Sequence, residues 1–431
     1  MKKSLLFLAA IAFAFAACNE NAPSGEGGGN KVSNVKAEFK SASGTLYLTG
    51  SGPMLDYDSK TLPEWDENRE YIRKIVIGEG ITTVGSNAFH DCPILEEVSF
   101  PSTLERIGYG SFSNCPSLTE LELPDKVKVI GDWAFRSCTG LKTLTLPENL
   151  THIYQLAFCN CTSLTSIQFS NHLEKISEAA FRSCKALKTV TLPESVTKIG
   201  SECFSMCSAL TNADLSKCSI EEIPLFAFQN CVSLEGVLAP TGLKTIGRAA
   251  FRDCKKLTSL SNTTNLVTID NEAFYDCQKL STFSWPESLQ TIGDSAFYNC
   301  AFSKIALKAN VSRVGSYAFY FCDKVTTLDI VTNKLTKIEK HSFHGLAIKE
   351  VTIPASVKEI EEEAFYYCSK GEKVTCLATT PPTLGDNVFS RFGEKTTEGR
   401  SLYVPASSLS AYQNNTQWTK WFGSSSIHAI E

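Results

Sequence analysis

The stretch from Leu118 to Gly140, LTELELPDKVKVIGDWAFRSCTG, contains one complete unit of a repeat that runs through most of this chain. A Phe at the position of Phe135 recurs at intervals of 22 to 24 residues, and a Cys follows it three residues later in every unit but one. The exception is the unit of Phe343, where Leu346 stands. The phenylalanines are Phe89, Phe112, Phe135, Phe158, Phe181, Phe204, Phe228, Phe251, Phe274, Phe297, Phe319, Phe343 and Phe365. A period between about 20 and 50 residues is typical of repeat proteins, in which each coil buries its apolar side against the next.

Each segment of the quoted unit has a predicted role. Leu121 and Leu123 alternate with Glu120 and Glu122, which predicts a short strand with one buried face. Pro124 has no N–H to donate to a neighbouring strand, so it should end the ladder. Further along, Gly131 is expected to adopt positive φ in a turn, and Ala134, Phe135 and Cys138 should close the coil as interior side chains.

The combined pattern of strand, Pro, Ile-Gly, Ala-Phe and Cys resembles the BspA-type leucine-rich repeat over about residues 70 to 378. The flanks resemble the end segments of the same family. They comprise residues 44–52 with Trp65, and Pro381-Pro382, Tyr403-Val404-Pro405, Tyr412 and Trp418. The resemblance implies a right-handed solenoid that is secreted or displayed at the surface and binds other macromolecules. We therefore expect a repeat solenoid of about 13 coils, with short parallel strands on the concave face, turns and irregular segments on the convex face, and terminal caps.

The first residues indicate export. Lys2 and Lys3 precede an apolar run that ends in small residues before Cys18, and that run is too short to span a bilayer. Residues 15–18, FAAC, resemble the lipobox of bacterial lipoproteins, which implies cleavage before Cys18 and its lipidation; a plain secretory signal is the alternative. The predicted organisation is a signal peptide (1–17), a lipid-anchored flexible linker (18–34), an amino-terminal cap (35–71), the solenoid (72–378) and a carboxy-terminal cap (379–431). An outer-membrane or cell-surface lipoprotein follows, with membrane contact through the lipid anchor only.

Charge and motif content exclude several function classes. The formal charge is −5 and there is no basic stripe, so nucleic acid is not an expected partner. No nucleophile elbow or phosphate-binding loop is present, and we expect neither catalytic activity nor a cofactor. His341 and His344 are spaced to offer a metal two nitrogens, but no carboxylate motif accompanies them in the sequence. We expect them at surface positions beside Phe343, and predict no metal site.

The seventeen cysteines invite a disulfide interpretation in an exported chain. Twelve of them recur once per unit and should form an internal column. Coils spaced about 4.8 Å apart leave disulfide distances open, but stacked side chains point the same way, so buried free thiols are the expectation. Cys203 replaces the Ala of its unit and should be buried. Cys159 falls on an outward position and is predicted to be exposed.

Two surfaces are candidates for binding. Solenoids usually bind on the extended strand face, where the outward positions are acidic and rich in hydroxyls, although a merely solvated sheet would look the same. We select Glu97, Glu120, Glu122, Thr143, Thr145, Gln168, Asp214, Asp329 and Glu350 as candidates there. Aromatic residues gather late in the solenoid, where they form either a contact patch or a stabilising stack; these are Tyr275, Tyr298, Tyr317, Tyr320 and Tyr366.

These features favour an adhesin-like protein that captures a protein partner, from the host or the cell envelope, through many weak polar contacts. A glycan-capture protein using the late Tyr column is a second hypothesis, because aromatic rings suit sugar faces. A rigid envelope spacer without a dedicated ligand is the third.

Overall fold

The computed structural model describes residues 33–393 and 400–430. Cys18, the predicted signal peptide and all but the last two residues of the predicted linker lie outside this part of the chain. Within it, one compact unit begins at Asn34.

The chain forms a solenoid of about 15 turns, slightly more than the repeat count predicts. Two series of mostly parallel strands run along it. One series carries the predicted outward positions and consists of Lys36–Lys40, Thr45–Thr49, Lys74–Ile77, Glu97–Ser99, Thr143–Thr145, Ser166–Gln168, Thr189–Thr191, Asn212–Asp214, Gly236–Leu238, Ser259–Ser261, Lys304–Leu307, Thr327–Ile330, Glu350–Ile353, Lys373–Cys376, Ser401–Val404 and Ile427–Ala429. We call its outward side the strand face.

The second series is made of shorter strands, most of which end on the Ile or Val of the repeat. They are Gly52–Pro53, Ile81–Val84, Arg106–Ile107, Val129–Ile130, His152–Ile153, Lys175–Ile176, Lys198–Ile199, Glu222–Ile223, Thr245–Ile246, Thr268–Ile269, Thr291–Ile292, Arg313–Val314, Lys337–Ile338, Glu359–Ile360 and Thr383–Leu384. The expected architecture has turns and irregular segments here instead of strands. Most of these strands have only two residues, which is too few to show an alternating pattern, so their pairing becomes visible only when coils stack.

Neighbouring strands pair with equivalent residues one coil apart. Thr143 pairs with Ser166 and Thr145 with Gln168, both in parallel register. The exception is the first pair, in which Lys36–Lys40 runs antiparallel to Thr45–Thr49. Because register is the same from coil to coil, each position of the repeat forms a column along the molecule.

Two stretches lack the expected strand. In the quoted unit only an isolated bridge between Glu122 and Thr145 forms, although Leu121 is buried as predicted. Glu120 occupies the position equivalent to Glu97 on the preceding coil, and like charges at neighbouring positions oppose close pairing. Residues 282–284 are also irregular; there Phe283 packs between Phe274 and Phe297, with centroids 5.9 and 5.4 Å away.

The interior is organised around the repeated Phe. Consecutive rings from Phe89 to Phe365 lie 5.2 to 5.8 Å apart, mostly with nearly parallel planes. The column extends by one ring at each end, through Trp65 and Phe389. Both faces of each ring are therefore covered by the rings before and after it, and removal of one ring affects three coils.

Helical segments lie near both ends of the column. The 3-10 helix Asp66–Tyr71 follows Trp65, whose indole N–H donates to the carbonyl of Ala88 at 2.9 Å. At the other end Leu409–Gln413 and Thr416–Phe422 are α-helical, and Ala406–Ser408 and Ser424–Ser426 are 3-10 turns. Trp418 is fully buried there and donates its indole N–H to Pro382 at 2.9 Å.

The repeated cysteines are buried free thiols, which confirms the prediction. They do more than fill space. The Sγ of Cys115 donates to the backbone carbonyl of Phe89 on the preceding coil at 3.3 Å, and the same contact recurs in every unit from Cys138 to Cys322 and at Cys368. A thiol is small enough for this position and still supplies a weak donor.

The prediction for Cys203 is confirmed, because this residue is fully buried. The prediction that Cys159 is exposed is wrong: it is buried, and burial raises the pKa of its thiol. Arg136 and Arg182, at the same position one coil before and after it, influence that thiol electrostatically. Long side chains on both neighbouring coils can shield a small residue at this position from solvent.

The expectation of positive φ at Gly131 is also wrong. Glycine is needed there because the backbones of adjacent coils come close together at this position. An added Cβ on Gly131 would lie 3.0 Å from the carbonyl carbon of Gly108. Left-handed backbone occurs instead two residues after each such glycine, as at Trp133, and two residues after each repeated Phe, as at Ser137. Most of these residues are not glycine, so composition did not reveal the conformation.

Phe228→Ala should lower the free energy of unfolding by about 3–5 kcal/mol, because it opens a cavity between Phe204 and Phe251. Urea denaturation followed by circular dichroism measures this loss. Val232→Ala alters a side chain in the same coil that is largely exposed, and should change stability by less than about 0.5 kcal/mol. Equal midpoints for the two variants would contradict the proposed role of the ring column.

The sixteen cysteines of the described residues should be unreactive toward a thiol reagent such as Ellman's in the native protein. Burial raises the pKa of the Cys207 and Cys322 thiols to about 12, and it keeps all sixteen thiols out of contact with the reagent. The full complement should react once the protein is denatured without reductant. A denatured protein with fewer reactive thiols would indicate disulfides and refute the free-thiol assignment.

Candidate functional site

The predicted strand-face residues lie where the alternation places them. Thr143, Thr145 and Gln168 are exposed on strands Thr143–Thr145 and Ser166–Gln168. Rows of hydroxyl and amide groups therefore run across neighbouring coils. Such rows offer weak hydrogen-bonding positions without forming an enclosed site.

Three of the six acidic candidates on this face form ion pairs with lysines of adjacent strands. Glu97 contacts Lys74 at 2.6 Å, Asp329 contacts Lys304 at 2.7 Å, and Glu350 contacts Lys373 at 3.8 Å. Lys74 and Lys373 belong to the strands Lys74–Ile77 and Lys373–Cys376 of the same face. Half of the acidic candidates are therefore neutralised by a neighbouring lysine.

Glu120 and Glu122 differ from these carboxylates. Both are exposed, and among the described residues neither makes an ion pair. They form a small negative area at the start of the solenoid. Long, solvated side chains of this kind contribute more to steering a partner than to affinity.

A shallow depression of about 300 Å³ lies on the strand face. It forms because Gly236 has no side chain between Asn212 and Ser259 on the adjacent strands. Leu238 lies at its edge and is 49% exposed. Asp214, also in the lining, accepts hydrogen bonds from the hydroxyl and backbone N–H of Ser216 at 2.6 and 2.9 Å, and these bonds lower its pKa.

The late tyrosines form a continuous stack outside the Phe column. Tyr275 and Tyr298 stack at 4.5 Å, and Tyr298 and Tyr320 at 5.2 Å. His344 continues the stack, 4.3 Å from Tyr320 and 4.9 Å from Tyr366. At the other end the Arg252 guanidinium lies over Tyr275, 4.4 Å from its centroid.

The faces of the stacked tyrosines are covered by their neighbours, and the side chains are half-buried. Burial raises the pKa of Tyr275, Tyr298 and Tyr320. Tyr317 lies beside this stack and packs on His341 at 4.5 Å with an interplanar angle of 22°. The column therefore presents ring edges and hydroxyl groups to solvent, while its flat surfaces are used internally.

Two aromatic residues next to the column are more exposed. Phe321 and Tyr367 lie two residues after their repeated Phe and are 44% and 46% exposed. Both adopt left-handed backbone, with φ of 58° and 59°. Asn, Asp or Ser takes this position in most coils, and bulky side chains are uncommon in this conformation.

Gly345 takes the equivalent position in the coil between Phe321 and Tyr367. An added Cβ there would lie 3.3 Å from Cδ1 of Phe321, so the ring of Phe321 extends over the glycine. The two exposed rings thus flank a position without a side chain. We call Phe321, Gly345 and Tyr367 the aromatic patch.

The histidines beside this patch are not at the open surface, contrary to expectation. His344 is buried inside the Tyr stack, and His341 is largely buried against Tyr317. Their Nδ1 atoms lie 3.2 Å apart. Glu363, from the next coil, places Oε2 3.3 Å from Nδ1 of His341 and 3.8 Å from Nδ1 of His344.

Both imidazoles are neutral at neutral pH. Burial lowers the pKa of His344 to about 4, with a further contribution from His341. Burial is also the main cause of the lowered pKa of His341, opposed by the nearby carboxylate of Glu363. The cluster therefore offers neutral nitrogen atoms beside one carboxylate.

A model of the BspA type leucine rich repeat region matches residues 67–171, 151–261 and 244–372, in six copies. The chain belongs to this family. BspA-type proteins are surface proteins that generally act by binding and are typically non-catalytic. No curated protein matches the sequence significantly.

Solved structures of other repeat proteins resemble this BspA-type chain. A leucine-rich repeat protein from Bacteroides ovatus is 18% identical, with a TM-score of 0.48, over 93% of this chain and 99% of that one. A leucine rich cell surface protein from Faecalibacterium prausnitzii is 20% identical, with a TM-score of 0.40, over 91% and 97%. The pneumococcal vaccine antigen PcpA is 18% identical, with a TM-score of 0.38, over 93% and 98%.

Within the described ranges of this BspA-type protein, none of the helices has the length and apolar character needed to cross a bilayer.

Sequence reasoning missed several features of this BspA-type protein. Glu363 was not connected with the two histidines, because they lie 19 and 22 residues before it in the chain. Glu363 follows His341 by about one repeat period, so the periodicity of the sequence could have predicted that the two residues are neighbours on adjacent coils. Phe321 and Tyr367 were also missing from the predicted candidates. The sequence offered a sign of both residues, because each places a large ring at a repeat position where most coils have Asn, Asp or Ser.

Proposed function

We propose that this protein is a lipid-anchored, extracytoplasmic binding protein without catalytic activity, and that it captures a protein partner through the aromatic patch. The late tyrosines selected from the sequence would support this patch from beneath. The strand face would contribute secondary polar contacts.

The pairing of two exposed rings, Phe321 and Tyr367, on either side of Gly345 carries this proposal. Each ring is nearly half exposed to water, and a bulky residue in left-handed backbone costs free energy. Met206 shares these two features on a single coil, whereas the patch places two rings beside a position without a side chain. The paired rings do not stabilise an isolated solenoid, so contact with a partner gives them a physical reason.

The surroundings of the patch resemble the composition of protein interfaces. The apolar rings have a charged neighbour in Arg391, whose guanidinium lies 5.7 Å from the ring centroid of Tyr367. Interfaces typically combine an aromatic core, depleted of charge, with a polar rim. Aromatic residues are also frequent among the side chains that dominate binding energy.

The alternative of glycan capture is less well supported by the same contacts. Sugars bind aromatic side chains by lying against a free ring face, whereas the faces of Tyr298 and Tyr320 are occupied by neighbouring rings. Phe321 offers no hydroxyl group for hydrogen bonding to a sugar. The Tyr column is better explained as a rigid support than as a sugar platform.

The strand face gives weaker support for a primary contact. Its carboxylates Glu97, Asp329 and Glu350 are already paired with lysines. Exposed ion pairs contribute little free energy and must be broken or rearranged on binding. Glu120 and Glu122 are available for long-range steering, and the depression at Gly236 is too shallow to enclose a ligand.

The proposed anchor rests on the sequence alone. Cys18 follows an apolar segment that resembles a lipoprotein signal, and a spacer containing GEGGG separates it from the solenoid. A glycine-rich spacer behaves as a flexible chain. It would let the solenoid reorient above the membrane while the lipid holds it in place.

The double variant Phe321→Ala, Tyr367→Ala should bind its partner with at least tenfold lower affinity, since two anchoring rings are removed. Affinity isolation from surface extracts with quantitative mass spectrometry identifies the partner with the native protein, and titration of that partner measures the loss. Met206→Ala is the matched control, because Met206 has the same repeat position, exposure and left-handed backbone but lies outside the patch.

The other candidate surfaces give distinct outcomes in the same assay. Glu120→Lys with Glu122→Lys should slow association without abolishing the complex. Loss of capture in that variant, with the aromatic double variant unaffected, would move the contact to the strand face. Retention on polysaccharide that depends on Tyr275 and Tyr298 would favour the glycan hypothesis, and no specific ligand for any variant would favour the spacer.

Cys18→Ala should move the protein from the membrane fraction to a soluble or uncleaved form, because the lipid acceptor is removed. Fractionation of cells followed by immunoblotting measures this. Ser24→Ala, within the spacer, is the control and should leave the distribution as it is. Unchanged fractionation of Cys18→Ala would contradict lipid anchoring while leaving the binding proposal intact.

A further inference from the structure

We propose that His341, His344 and Glu363 form a binding site for one Zn²⁺ ion, with a fourth coordination position left open for water or another ligand. The inference concerns a cluster distinct from the exposed rings of the aromatic patch. It does not rest on the proposed function.

The geometry of the three ligand atoms supports this site. The sides of their triangle are 3.2 Å between the two Nδ1 atoms, and 3.3 and 3.8 Å from these atoms to Oε2 of Glu363. In tetrahedral coordination, with bonds of 2.0 to 2.2 Å, ligand atoms are separated by roughly 3.3 to 3.6 Å. An ion about 0.6 Å above the plane of this triangle would lie about 2.1 Å from all three atoms.

The donor set favours zinc over the hard cations. Imidazole nitrogen suits Zn²⁺ and neighbouring transition metals, whereas Mg²⁺ and Ca²⁺ prefer sites made of oxygen. Two histidines and one glutamate also match the three-ligand arrangement in which zinc keeps a position for water. A single carboxylate balances one of the two charges of the ion.

The ligands are held in place before any ion arrives. Tyr317 stacks on His341 at 4.5 Å, while Tyr320 and Tyr366 enclose His344 at 4.3 and 4.9 Å. The exposed fractions of the three ligand side chains are only 12%, 7% and 22%. Rings fixed by packing lose little conformational freedom when a metal binds.

The open coordination position can be reached from the surface of the protein. Glu363 is the most exposed of the three ligands, so access is from its side of the cluster. The aromatic patch begins nearby, with Phe321 5.7 Å from His344. A bound ion would therefore lie beneath a surface where an additional ligand can approach.

Zinc binding to the purified protein, prepared without a histidine tag, is measured by competition with a chromophoric chelator and by calorimetry. Co²⁺ serves as a second probe, since its visible absorption reports four-coordinate geometry. The native protein should bind one Zn²⁺ per chain, and Co²⁺ should give the intense absorption of a tetrahedral site. Mg²⁺ and Ca²⁺ in large excess should not displace either ion.

Glu363→Gln keeps the shape of the side chain but removes the charged ligand, and should weaken Zn²⁺ binding at least about tenfold. Glu362→Gln is the matched control, because Glu362 is adjacent in sequence but pairs with Lys340 instead; its zinc affinity should equal that of the native protein. Circular dichroism verifies that both variants fold. Failure of the native protein to bind stoichiometric zinc, or equal affinity in Glu363→Gln, would overturn the proposal, whatever the result of the partner-binding assay.

Discussion

The packing of one coil on the next is the constraint on which the rest of this protein depends. Each Phe ring lies 5.2 to 5.8 Å from the ring above and below it, and each thiol of the column from Cys115 donates to the Phe carbonyl of the preceding coil. Close approach at glycines such as Gly131 completes the contact. Because this interior repeats with little change, the distance between coils is nearly constant, and surface side chains become columns as well.

Function is therefore expected where a column departs from its usual residue. Gly236 interrupts the strand face and produces a depression, Phe321 and Tyr367 replace small polar residues, and His344 replaces a tyrosine within a stack of rings. Each departure changes a side chain while the backbone of the coil continues. A solenoid can in this way gain a local site without altering the packing that stabilises it.

Two chemically different features occupy the same few coils, between Tyr317 and Tyr367. The aromatic patch offers apolar contact area, and the cluster of two histidines and Glu363 offers ligands for a cation. The rings of Tyr317, Tyr320 and Tyr366 connect them, since they hold the imidazoles and border the exposed side chains. Rigid support of this kind suits both proposals, because preorganised groups lose little entropy on binding.

The amino-acid sequence by itself determined the solenoid, its period, the buried alternation of the strands, the interior position of Cys203 and the existence of a late Tyr column, because each follows from which residues recur at one repeat position. Only the tertiary structure decided the burial of Cys159 between two arginines, the close approach at Gly131, the pairing of Glu97 with Lys74, and the meeting of His341 and His344 with Glu363. These features depend on the direction and reach of side chains from adjacent coils. Periodicity identifies neighbouring residues, but contact between their atoms is settled by backbone conformation and packing.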